Sequence, residues 1–159
     1  MRSATVLAFC LALAACGGVS DPGTTTLEGY AALSGGDDAA AAELFASALD
    51  AMDPSHPSYE RARLGLVEAN VERHPSVAAE EFLALAAESD SIDASEYARI
   101  GRLLADAGAS IEAGSVVNAG IEAYPDEASL AAVHAIVQAR AKEVNDPAQR
   151  AALESLGYL

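Results

Sequence analysis

The sequence predicts an all-α fold. Apolar residues recur at three-to-four spacing in runs separated by short breaks rich in Pro and Gly, and strand-like alternation of β-branched residues is hard to find. Composition agrees: of 159 residues none is tryptophan, and the three Phe and five Tyr are spread singly through an alanine-rich chain. Small contact residues of this kind suit closely packed helices better than a β-sandwich.

The N-terminus reads as a leader. Arg2 is the only charge in the first twenty residues, and Ala4 to Ala15 form an apolar run containing Val6, Leu7, Phe9, Leu11 and Leu13. A dozen residues at about 1.5 Å each span roughly 18 Å, short of the ~30 Å hydrocarbon core, so an export signal is expected rather than a permanent span. The run closes as Leu13-Ala14-Ala15-Cys16-Gly17, which resembles the lipobox of bacterial lipoproteins. That resemblance implies that the Cys16 thiol takes a diacylglycerol, that residues 1–15 are removed, and that the new amino terminus is acylated. Two or three chains would then anchor the protein durably. Ala12-Leu13-Ala14 also fits ordinary secretory cleavage, which would release a soluble chain. Cys10 lies in the leader, so Cys16 would have no disulfide partner within the mature chain. Gly17, where an aspartate would argue for inner-membrane retention, leans towards the periplasmic face of the outer membrane.

Loss of residues 1–15 leaves 144 of the 159 residues and removes Arg2 but no acid, so the formal charge moves from −15 to −16. That balance, with Lys142 the only lysine, argues against nucleic acid and against binding to anionic headgroups. Membrane attachment would rest on the lipid. The length fits one compact domain or a short repeat array. Residues 16–26 are expected to be the lipidated cysteine and a flexible tether, reaching at most about 35 Å, and residues 27–159 the folded domain.

Breaks then follow at Gly35-Gly36-Asp37, Asp53-Pro54-Ser55-His56-Pro57, His74-Pro75, Ser89-Asp90-Ser91, Gly108, Tyr124-Pro125-Asp126 and Asn145-Asp146-Pro147. Pro and Gly at this spacing stop helices after three or four turns. Gly29, Gly65 and Gly101 recur every 36 residues in the first helix of each pair, and Phe45, Phe82 and Val117 recur at 37 and 35 in the second. A period in the mid-thirties built from two helices predicts a helical-hairpin solenoid.

The segment Ala94–Glu127 resembles a tetratricopeptide repeat. Tyr97, Ile100, Gly101 and Leu104 fall on the family's first-helix positions, Gly108 on its turn, Ala113, Val117 and Gly120 on its second helix, and Pro125 ends it. Val117 stands for the usual aromatic and Gly120 for a common alanine. Residues Pro22–Ser55 keep Gly29, Gly36, Asp37, Ala41, Phe45 and Ala48 in step, with Pro54 one residue late. Residues Ser58–Asp93 keep Leu64 and Gly65, then slip by one so that Ala78, Phe82 and Leu85 fit. About three repeats are expected, two of them degenerate, with C-terminal helices near Glu127–Lys142 and Pro147–Leu156 covering the last apolar face. His134 falls on an inward position there and is expected to be half-buried and hydrogen-bonded.

Residues for chemistry are sparse. His56, His74 and His134 lie in separate segments, two of them directly before proline, so no metal site is expected. Asp93 and Glu96 read as a helix N-cap and its partner three residues on. Glu80 and Glu81 lie about 100° apart on a helix and do not converge. Neither a Gly-rich phosphate loop nor a GxSxG elbow occurs. No catalytic residue and no cofactor is expected.

The tetratricopeptide resemblance implies a concave partner-binding groove along the first helices. Carried over position by position, it would be lined by Tyr30 and Leu33, by Tyr59, Leu66 and Asn70, by Arg102 and Asp106, and by Ile136 and Arg140. Such a surface would suit a short amphipathic segment carrying a carboxylate for Arg102 or Arg140. The alternative is that the tyrosines and leucines are core and that Arg102 merely pairs with Asp106 one turn on. The expected function is a lipid-anchored, non-enzymatic envelope adaptor that holds a protein or peptide partner. A ligand- or glycan-binding lipoprotein and an accessory subunit of an envelope enzyme are the alternatives.

Overall fold

In a computed structural model of the chain, residues 21–159 are described, and the leader, Cys16 and the residues up to 20 lie outside them. Among the described residues there are eight helices: α1 (Pro22–Ser34), α2 (Asp38–Asp50), α3 (Tyr59–Asn70), α4 (Pro75–Glu88), α5 (Ala94–Asp106), α6 (Ser110–Ala123), α7 (Ala128–Ala141) and α8 (Pro147–Ser155). The first six form sequential pairs, α1 on α2, α3 on α4 and α5 on α6, stacked as hairpins. Next in the stack, α7 packs on α5 and α6, while α8 rests on α6.

Helix α1 starts earlier than the expected tether boundary. The Asp21 carboxylate accepts from the Thr24 amide at 3.0 Å, and Pro22 occupies the first turn, where its missing N–H costs nothing. Thr25 and Thr26 are buried, and the Thr26 hydroxyl donates to the Pro22 carbonyl at 2.8 Å. The five residues 22–26 are therefore helical and part of the packed unit. The same capping logic starts α2 at Asp37, α5 at Asp93 and α8 at Asp146. Asp93 accepts from the Ser95 and Glu96 amides, as expected, but the Glu96 carboxylate turns to Arg99 and does not reach back to close a capping box.

Helix ends explain why the hairpins differ. Gly36 and Gly108, 72 residues apart, both adopt positive φ (76° and 82°) and let the next amide return to the carbonyl five residues back, Asp37 to Ala32 and Ala109 to Leu104. Midway between them stands Glu72, which cannot take that conformation cheaply. The chain there runs through Val71 and Arg73 to His74-Pro75 without a positive-φ residue, and the middle hairpin loses the register of its neighbours.

The glycine period is steric. A β-carbon on Gly29 would stand 2.7 Å from the Phe45 ring, and one on Gly65 would stand 2.4 Å from the same ring, which therefore fills the space between α1 and α3. In the third pair Val117 takes this place, 2.5 Å from a β-carbon on Gly101. Phe82 breaks the series. Gly65 meets Phe45 of the preceding hairpin, while Phe82 turns forward to lie edge-on to Tyr97, with ring centroids 5.1 Å apart at 87°.

The core consequently divides along α3. Phe45, Ala41, Ala48 and Met52 form a small core with Ala62 and Ala69, whereas Val67 of the same helix and Val71 just past its end join Phe82, Ile100, Val117 and Val137 in the larger one. The chain's end closes the larger core. After the turn at Gly157 the fully buried Tyr158 inserts between α6 and α7, its hydroxyl donating to Asn118 Oδ1 at 2.9 Å, and the Asn118 amide donates to the Leu156 carbonyl at 3.0 Å. His134 is half-buried as expected, but its contact is the Tyr158 ring, 4.7 Å between centroids, in place of a hydrogen bond. None of the described helices is long and apolar enough to cross a membrane.

Candidate functional site

A recess opens where the middle hairpin departs from its neighbours. In the C-terminal half each second helix packs on the next, α4 on α6 and α6 on α8, but α4, drawn forward by Phe82, makes at most marginal contact with α2. The gap between them is a groove of about 470 Å³ floored by α3, within the range in which proteins bury small ligands or side chains of a partner.

Its walls set apolar side chains beside Asn70 and one charged cluster. Leu49 comes from α2, Tyr59, Leu66 and Val67 from the floor, and Val77 and Ala78 from α4. Val77 is 48 % exposed, unusual for a large apolar side chain in this structure. Arg63 rises from α3 with its side chain 17 % exposed and pairs with Glu88 and, at 3.7 Å, with Glu81, both on α4. Burial works against the Arg63 charge, but the hydrogen bond to Glu88 and the two carboxylate charges outweigh it, so its pKa rises and it stays cationic. The cluster holds one guanidinium between two carboxylates on the wall of the groove.

The nine residues expected to line a concave groove separate into several groups. Tyr59, Leu66 and Asn70 meet in the groove between α2 and α4. Leu33 and Asp106 line a smaller recess of about 280 Å³ together with Glu68 and Leu103. Arg102, Asp106 and Arg140 form an ion-pair cluster, Arg102 Nε at 2.8 Å and Arg140 Nη2 at 3.1 Å from the two Asp106 oxygens. The hydrogen bond from Arg102, reinforced by both positive charges, holds the Asp106 carboxyl below its usual pKa. Tyr30 packs edge-on to Phe45 with centroids 4.9 Å apart, donates its hydroxyl to the Arg61 carbonyl at 2.9 Å and carries the Arg61 guanidinium 5.0 Å above its ring. Ile136 is half-buried against the larger core.

Sequence reasoning did not single out Arg63, Val77 and Glu88, and it weighed Glu81 only beside Glu80. A signal existed for the acids: positions 81 and 88 are seven apart and share a helix face. Nothing local paired them with Arg63. Among the described residues no group of three His, Cys, Asp or Glu side chains is placed to hold a metal ion, and every buried side-chain polar atom has a partner. Compared with models of known families, with curated proteins and with solved structures, the chain finds no match.

Proposed function

We propose that this chain is a lipid-anchored, non-enzymatic adaptor of the bacterial cell envelope, built as a tetratricopeptide-like array and holding a protein or peptide partner near the outer membrane. The observation that carries the reading is the hairpin stack that leaves an apolar groove open between α2 and α4. The tetratricopeptide assignment is supported by the equivalent contacts of Gly29 with Phe45 and Gly101 with Val117, and by the paired turns at Gly36 and Gly108. The anchor rests on Leu13-Ala14-Ala15-Cys16-Gly17. With α1 starting at Pro22, only residues 17–21 separate Cys16 from the domain, and five residues reach at most about 18 Å. A partner in the groove would be kept close to the bilayer.

The test is intact-mass analysis of the membrane fraction from the native host, wild type against Cys16→Ser, run with crosslinking of the whole envelope. A chain starting at Cys16 with added diacylglycerol and acyl mass, released from the membrane by the substitution and giving a discrete crosslinked product with an envelope protein, is expected. An unmodified chain in the soluble fraction would overturn the anchor. A lipidated chain that crosslinks to nothing would overturn the adaptor role.

A further inference from the structure

Resting on the adaptor reading, we infer that the groove between α2 and α4 receives a basic amphipathic helical segment of a protein partner. Apolar contact comes first. Leu49, Leu66, Tyr59 and the exposed Val77 offer a strip that one face of a helix can cover with anchors spaced three to four residues apart.

Charge then selects the segment. Arg63, the only cation among the described residues that line the groove, is already engaged by Glu81 and Glu88, whose side chains stay 60 % and 64 % exposed. Two carboxylates sharing one guanidinium leave a net negative rim. Along the chain the acidic bias continues, since residues 21–60, which include α2, hold eight Asp and Glu and no Lys or Arg. A Lys or Arg flanking the apolar anchors would meet unspent carboxylate oxygens, whereas an acidic segment would be repelled. The arginines that could have taken an acidic partner, Arg102 and Arg140, lie elsewhere and are both bound to Asp106.

The experiment uses the full chain purified from its host and two fluorescent amphipathic helical peptides with the same leucine face. One carries Lys and Arg on its polar face and the other Glu. The cationic peptide is expected to bind at least about tenfold more tightly than the acidic one and to weaken as salt rises. Bulk attraction to an acidic protein would give the same trend, so Val77→Ser, which changes no charge, separates docking from it. That variant should lose about tenfold, while Leu27→Ser, at an exposed position on α1, should change nothing. Glu81→Gln with Glu88→Gln should narrow the difference between the two peptides. Because it strips Arg63 of its partners, its fold is checked by circular dichroism, and Val77→Ser decides the matter if it unfolds.

Equal binding of both peptides, or cationic binding that Val77→Ser leaves intact, overturns the inference. If Leu103→Ser in the smaller recess abolishes binding instead, the adaptor reading survives on another face. If neither peptide binds and the envelope crosslinking also gives no product, both fall together.

Discussion

The ring of Phe45 lies where Gly65 has no side chain, 2.4 Å from the position a β-carbon would occupy. This contact joins the first hairpin to α3, and through α3 to the rest of the molecule. Gly65→Ala is expected to destabilise the protein by about 1–3 kcal/mol, because the facing atoms belong to a fully buried ring with little room to move. Phe45→Leu should restore part of that loss in the double variant, a non-additivity measurable by urea unfolding.

The fold was largely legible because its register is written as local sterics. Gly29, Gly65 and Gly101 mark helix approaches directly, and the breaks at Gly36, His74-Pro75 and Gly108 fall where helices end. The start of α1 was missed because Gly-Thr-Thr-Thr resembles a linker, although Asp21-Pro22 carried an N-cap signal. The site was less legible. Arg102 with Asp106 is readable as a one-turn pair, but Arg140 joins them from 34 residues away. The groove depends on Phe82 choosing Tyr97 over Gly65, a long-range packing outcome that no local pattern records.

Tyr158 fastens the C-terminal segment, and burial pushes its hydroxyl pKa from 10.0 up to about 12. The unfolded chain loses this proton more readily than the folded one, so the contribution is fully present below pH 10 and is lost as pH rises towards about 12. Tyr158→Phe should cost about 1 kcal/mol through the lost hydrogen bond to Asn118 and flatten that alkaline decline. Tyr158→Ala should cost about 3–5 kcal/mol by leaving a cavity between α6 and α7. Urea midpoints across the alkaline range, with phenolate absorbance, check both.

Acid acts through three exposed carboxylates. Hydrogen bonds from Ser55, Ser95 and Arg102 lower the pKa values of Asp53, Asp93 and Asp106 below 3.8. Their stabilisation is present above that value and lost as pH falls through the folded pKa values, where the unfolded chain binds more protons. Asp93→Ala should lower the unfolding midpoint at neutral pH by removing the α5 cap and should weaken the acid dependence. Denaturant titrations between about pH 5 and about pH 3 read the slope directly.

The α3–α5 link through Arg99, which pairs with Glu68 at 2.8 Å and Glu96 at 2.6 Å, is expected to matter little to stability. Its side chains are partly exposed, so Arg99→Gln should shift stability by less than about 1 kcal/mol and lose that effect in high salt. Unfolding at low and high ionic strength checks this.

The most direct test of the adaptor claim is a photo-crosslinking residue at position 77, introduced into the otherwise intact chain in its native host and compared with the same residue at position 27. The account predicts a discrete adduct with an envelope protein from position 77, absent from position 27 and diminished when Glu81 and Glu88 are both changed to Gln. No adduct from position 77, or the same adducts from both positions, would contradict it.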